Sequence, residues 1–356
     1  MKGNTLKAFL AIVFLFSITS TSHAELNAWT ELSPGDVGVI HSIVGGKMSL
    51  NVYAGTNKGV HKYIYAENRW EPLGLQDQTI LEVGIINHVL YAANGKKLWH
   101  YDAAGKKWNE LTLPASFERE EVIRSLSKSD DTLILGTNKG KVFVFREFGP
   151  NQAVWNSYDF EDETIVVSAI HQYDSKIIVI GTSRGLYAAI VGQSHPPMAI
   201  GGGVLPRDGV EDLIVFNNTL FVAYKTGVYA KTSDQSNFVK LSDGLEFDRA
   251  APVVRGFTKQ GESLYLLVRG GNDYPSRLFY LEGSSWKEFS PTIASTLNNT
   301  IMLYLTSTKD SLYIGNTSRI YEIHFPAQPE PPPPPPTPPV PTPPLDTDGD
   351  GVIDTT

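Results

Sequence analysis

The chain has 356 residues, of which 41% are hydrophobic and 11% aromatic; its formal net charge is −8 and it contains no cysteine. That apolar supply suffices for a large core, and the missing thiols exclude a disulfide scaffold, a thiolate metal site and a lipid anchor on Cys. The acidic balance argues against a nucleic-acid reader, which would present a basic face.

Residues 1–24 predict a secretory signal peptide: Lys2 and Lys7 precede an apolar run from Ala8 to Ile18, and a polar stretch ends in Ser22-His23-Ala24, with cleavage expected after Ala24. The run is about 11 residues, short of the roughly 20 that a spanning helix needs. No second long apolar run follows, so the expectation is an exported chain, periplasmic, outer-surface or extracellular, without a transmembrane segment. Losing the signal leaves 28 basic residues against 38 acidic, and five of those acids lie beyond Phe325, where no Lys or Arg occurs.

From residue 25 to 325 the chain repeats. "GTNKG" stands at Gly55–Gly59 and again at Gly136–Gly140, and "GTSRG" at Gly181–Gly185. The apolar pair ahead of this turn recurs at Val52, Leu90, Leu133, Ile178, Leu220, Leu264 and Leu312, at steps of 38 to 48 residues. Each unit has one order: an apolar strand such as "VIHSIV", the anchor strand, the Gly turn, a third alternating strand such as "GVHKYIY", and a closing segment of the Trp-x-x-Leu kind. Alternation with β-branched and aromatic enrichment reads as strand, and the Gly, Asn and Lys between runs read as hairpin turns in which Asn and Gly take the positive φ.

Seven four-stranded units of about 43 residues predict an all-β fold, a seven-bladed β-propeller around a central channel. A sandwich would give no reason for so regular a period. The seventh unit stops at "IYEIHFP" without a closing strand, and the missing copy is Trp29-Thr30-Glu31-Leu32. Residues 28–33 are therefore expected to complete blade 7 and latch the ring.

"SKIIVIGTSRGLYAA" and "LNVYAGTNKGVHKY" resemble the repeats of two-component-regulator-type propellers, and "LYAANGKKLWHYDAAGKKWNEL" resembles a kelch unit without most of its double glycines. The resemblance spans nearly all of residues 26–325 and implies the fold, not a chemistry.

"PAQPEPPPPPPTPPVPTPP" follows, and residues 326–344 predict an extended polyproline spacer of roughly 60 Å. A recognition tract for a proline-binding domain is the lesser reading. The last stretch, 345–356, places Asp346, Asp348 and Asp350 ahead of Gly351 with Asp354 beyond, alternating hard oxygen donors around a tight turn, as a calcium loop does. It resembles a thrombospondin type 3 repeat or the first half of a dockerin loop. Counted from Asp346, a twelfth position would fall at 357. Either the chain continues into more such repeats and a further C-terminal domain, or the loop is incomplete and holds calcium weakly, no better than ~10⁻⁴ to 10⁻³ M. An acidic disordered tail is the plain alternative.

Propellers bind at the channel mouth, where the innermost strands begin. Counting two apolar positions and then one variable position gives His41, Glu82, Arg124, Ser168, Asp212, Arg255 and Leu303, six of them polar. Such a ring suits a polar or zwitterionic ligand, a sugar or a peptide side chain, unless its members only pair with one another and with channel water. Trp70, Trp108, Trp155 and Trp286 recur at closing strands and read as packing between blades, whereas Trp99 breaks the pattern and marks a candidate exposed platform. His61, His100 and His171 form no ligand cluster in sequence. Glu82 and Asp212 are a candidate carboxylate pair for glycosidase or lyase chemistry, but no nucleophile elbow, zincin motif or sialidase box accompanies them. The expected function is an exported propeller that binds a protein or glycan without evident catalysis. The alternatives are a polysaccharide lyase or glycosidase at the channel mouth, and a structural cell-surface stalk with calcium repeats.

Overall fold

A computed structural model describes residues 29–325 apart from 33–34, 36, 47–49, 128–131, 148–152, 234, 246–252, 270–274 and 290–300. The expected signal peptide, Pro-rich tract and calcium loop, with Asp346, Asp348, Asp350 and Asp354, lie outside the described residues. Among the described residues no helix is long and apolar enough to cross a membrane.

The described strands form seven antiparallel four-stranded sheets. Blade 1 comprises β2 (Ile40–Gly45), β3 (Val52–Thr56), β4 (Gly59–Ile64) and β5 (Arg69–Gly74), hydrogen-bonded in that order. The innermost strands of blades 2 to 7 are β6 (Glu82–Ile86), β10 (Ile123–Leu126), β14 (Val167–Gln172), β18 (Val210–Phe216), β22 (Val253–Gln260) and β26 (Tyr304–Ser307). Consecutive innermost strands touch in chain order, and β26 touches β2, so the sheets close on themselves. The latch is the expected one: β1 (Thr30–Leu32) pairs antiparallel with β28 (Ile320–His324), Thr30 opposite Glu322 and Leu32 opposite Ile320. Closing the ring with the first strand removes an edge that would otherwise template aggregation.

The apolar residues gather at the boundaries between blades instead of one central core. Val60 of blade 1 packs with Ile80, Val83 and Trp99 of blade 2, and Phe221 of blade 5 with Phe257 and Trp286 of blade 6. Across the seam, Leu32, Tyr313 and Ile320 meet Ile40, Ile43 and Trp70. The closing tryptophans pack between blades as expected, and three of them bond back one blade: Trp108 donates its indole N–H to the Leu73 carbonyl at 3.2 Å, Trp155 to Thr112 at 3.0 Å and Trp286 to Leu241 at 3.0 Å, while Trp70 packs across the seam. Trp99 is no platform; it is 6% exposed, because its place on β8 (Leu98–Asp102) faces the blade 1–2 boundary.

The repeated Gly-Thr-Asn-x-Gly now has a residue-by-residue cause. Its first glycine sits where the next blade's inner strand presses closest: a Cβ on Gly136 would lie 2.4 Å from Val167 Cγ1 and 2.5 Å from Ser125 Oγ. The threonine hydroxyl ties the hairpin, Thr56 Oγ1 donating to the Gly59 carbonyl at 3.0 Å and accepting from Lys58 N–H at 3.0 Å. The closing glycine supplies the positive φ, +91° at Gly59. Asn57 and Asn138 do not take positive φ, contrary to expectation. They are held instead as clamps on the start of their own blade's inner strand: the Val39 and Val122 N–H groups donate to their Oδ1 atoms at 2.7 and 2.6 Å, and their own N–H groups donate to the Val39 and Val122 carbonyls at 3.0 Å. The turn thereby fixes where each inner strand enters the channel mouth.

Candidate functional site

The inner strands enclose a cavity of about 870 Å³ along the ring axis, within the ~300–1,000 Å³ typical of ligand sites. At its strand-start end the wall includes His41, Glu82, Ser168, Glu211, Asp212, Arg255 and Tyr304, and towards the strand ends it includes His88, His171 and Lys259.

Five inner strands bulge at one equivalent step, and four of the five bulge residues line the cavity. The ladder skips a residue between Ile40 and Ser42, Ile123 and Ser125, Val167 and Ala169, Val210 and Asp212, and Val254 and Gly256. The skipped residues are His41, Arg124, Ser168, Glu211 and Arg255. A bulge breaks pairing and re-aims a side chain, and it is a built feature of a strand rather than a defect.

Set against this register, the sequence-derived ring separates into two rows. His41, Arg124, Ser168 and Arg255 occupy bulges, whereas Glu82 and Asp212 lie in the following row, opposite Ala93 and Ala223, just as Ser42 and Ser125 lie opposite Gly55 and Gly136. In blade 5 the bulge residue is Glu211, so the count was off by one where two acids adjoin. In blade 7, Tyr304, not Leu303, pairs with Gly315. Arg124 is exposed and is not among the residues bounding the cavity.

Glu211 and Tyr304 are the functional candidates that sequence reasoning missed. Arg255 Nη1 meets Glu211 Oε2 at 3.3 Å, with side-chain exposures of 29% and 18%, so two bulges bridge blades 5 and 6 in partial shelter from solvent. Asp212 is 3% exposed, and its Oδ2 accepts the Phe257 N–H at 2.7 Å, stitching the same two blades. Ser168 donates to the Val210 carbonyl at 2.6 Å and Ser125 to that of Val167 at 3.3 Å, so hydroxyls on the inner strands of blades 3 and 4 staple those blades to the next. Tyr304 donates to the Ile40 carbonyl at 3.1 Å. Burial first, and then the negative charge of Glu82, push its phenol up to about 12 against the opposing pull of Arg255, so it stays a neutral donor at ordinary pH.

Chemically this end of the cavity combines a guanidinium, three carboxylates, a phenol and an imidazole drawn from five blades, with Glu211 and Asp212 adjacent on one strand. Such a set can offer a polar ligand charge-assisted hydrogen bonds. Among the described residues no group of three His, Cys, Asp or Glu is placed to hold a metal ion. His61 is buried and faces Thr56 Oγ1 at 3.4 Å, and His100 lies near the Tyr91 ring; both are structural.

No protein-family model matches the chain, and no curated protein matches it. Solved structures do. A chain of the mitotic checkpoint complex superposes with a TM-score of 0.63 at 11% identity, covering 88% of this chain and 100% of its own. Virginiamycin B lyase from Staphylococcus aureus gives 0.62 at 11% identity, over 83% and 99%. The extracellular domain of a hybrid two-component system from B. thetaiotaomicron gives 0.63 at 14% identity, over 84% of this chain and 40% of that one. At such identities the likeness is one of fold: the chain is a seven-bladed β-propeller, and its neighbours include an extracellular domain of a two-component system.

Proposed function

We propose that the chain is an exported ligand-binding propeller that captures a protein or glycan at the channel mouth. The observation that carries this reading is the row of bulges that turns His41, Ser168, Glu211 and Arg255 to one cavity, where the fold alone would be satisfied by regular ladders. Export rests on the signal-like residues 1–24 and on the extracellular neighbour. In this reading residues 326–344 space the propeller from a neighbouring module, and Asp346, Asp348, Asp350 and Asp354 form a weak calcium loop. The test is a glycan and secreted-protein array probed with the full chain, followed by product analysis on every hit. Binding without product supports capture; silence across the array in a folded sample contradicts it.

A second reading, lyase or glycosidase action, draws on Glu82, Asp212, Tyr304 and His41 facing one cavity, the kind of acid–base set such chemistry uses. Product formed from a glycan hit and lost in Tyr304→Phe would establish it.

A further inference from the structure

A second cavity, of about 430 Å³, lies away from the channel at the boundary of blades 4 and 5. Its cause is a departure from the blade plan. In blades 1, 2 and 3 the closing Trp packs at a tilt against an aromatic residue directly across the ladder: Trp70 against Tyr63 with ring centroids 5.2 Å apart, Trp108 against Tyr101 at 5.2 Å and Trp155 against Phe145 at 4.9 Å. Blade 5 pairs β20 (Gly227–Thr232) with β21 (Val239–Lys240), Ala230 opposite Val239. One step further along the same register, the Trp position is Phe238 and the aromatic position is Lys231.

A smaller ring therefore closes this boundary, and a cation stands where every one of those blades has an apolar ring. The neighbouring loop adds no bulk: Gly201 and Gly202 line the cavity, and a Cβ on Gly202 would meet nothing within 4 Å. The rest of the wall is mainly apolar, with Tyr173, Ile177, Ile200, Leu220 and Phe238, and Ser236 and Asn237 add polar groups beside Lys231; no ion pair of Lys231 occurs among the described residues. A half-buried ammonium beside an apolar cavity favours an anion with an apolar body, because the charge gains a partner in partial shelter while the body leaves water.

We propose that this cavity binds a small amphipathic acid, with its aliphatic or aromatic body among Ile177, Ile200, Leu220 and Phe238 and its carboxylate on Lys231. The site is separate from the channel, and neither reading depends on the other. Calorimetric titration of the full chain with octanoate and 4-phenylbutyrate, each against its corresponding alcohol, tests it. At least one acid is expected to bind with unit stoichiometry and more tightly than its alcohol. Lys231→Met should weaken the acid about tenfold or more and leave the alcohol unchanged. Ala188→Trp, which fills the cavity from β16 (Gly185–Ile190), should abolish both; if it fails to fold, Val204→Trp from the exposed loop serves. Absence of acid binding, alcohols binding as tightly as acids, or acid affinity indifferent to Lys231→Met would each overturn the proposal.

Discussion

In blade 3 the outer strand, β13 (Ala153–Asp159), runs seven residues beside β12 (Lys141–Glu147), and Trp155 packs at a tilt against Phe145. In blade 5 the outer strand β21 is two residues long, and Phe238 stands across from Lys231. Towards the axis the two blades agree: both inner strands bulge at the same step, and both second strands place a small residue, Gly136 or Ala223, against the neighbouring blade. The difference follows from geometry. Seven inner strands must meet around one axis, so each is constrained by both neighbours, whereas the rim has radial room and a blade can shed its closing strand there. Variation that the ring tolerates collects at the rim, and the second cavity is found there.

That contrast can be broken most severely at the axis. Gly136→Val and Ala223→Leu each put volume into a filled boundary and are expected to cost about 3 kcal/mol in urea unfolding; a cost below about 1 kcal/mol for either would mean that the inner ring is looser than drawn. At the rim, Trp155→Ala should cost about 2 kcal/mol, less than for a fully buried Trp because the side chain is only half-buried. Lys231→Phe, which restores the aromatic pair in blade 5, should stabilise by about 1 kcal/mol, read as a higher urea midpoint. Met198→Ser, at an outer position 62% exposed, should stay within about 0.5 kcal/mol of the parent.

Alkaline pH probes the buried phenols, one of them on the inner wall. Tyr304 has its phenol raised by burial to about 12, above the ordinary value of about 10. Its contribution is therefore complete below pH ~10 and is lost as pH rises through ~12. Tyr265 and Tyr313 are pushed up to about 12 in the same way, again by burial first. Urea midpoints should fall across that window, and Tyr304→Phe should flatten the fall; an unchanged slope would remove the buried phenol from the account.

Blade number, strand order and the latch were legible because each rests on local pattern repeated at one period: Gly-Thr turns, alternating strands and Trp-x-x-Leu closers. The channel ring was legible only in part. A bulge is invisible to counting, so Val210-Glu211-Asp212 offered two acids with nothing to choose between them, and the bulge selects Glu211. Arg124 fitted the pattern, but it does not bound the cavity. The rim cavity was readable in retrospect, since "NFVKL" at Asn237–Leu241 carries Phe where five of the other closers carry Trp; that substitution gains meaning only once Lys231 is seen across the ladder.

The central claim is that the bulge row of the channel binds the ligand. Its most direct test takes any array hit and measures its affinity for the parent, Arg255→Ala and Arg124→Ala, each confirmed folded by its urea midpoint. Arg255→Ala strips Glu211 of its partner inside the cavity and should weaken binding about tenfold or more, while Arg124→Ala, outside the wall, should leave it unchanged. A folded Arg255→Ala variant that binds like the parent would contradict the claim.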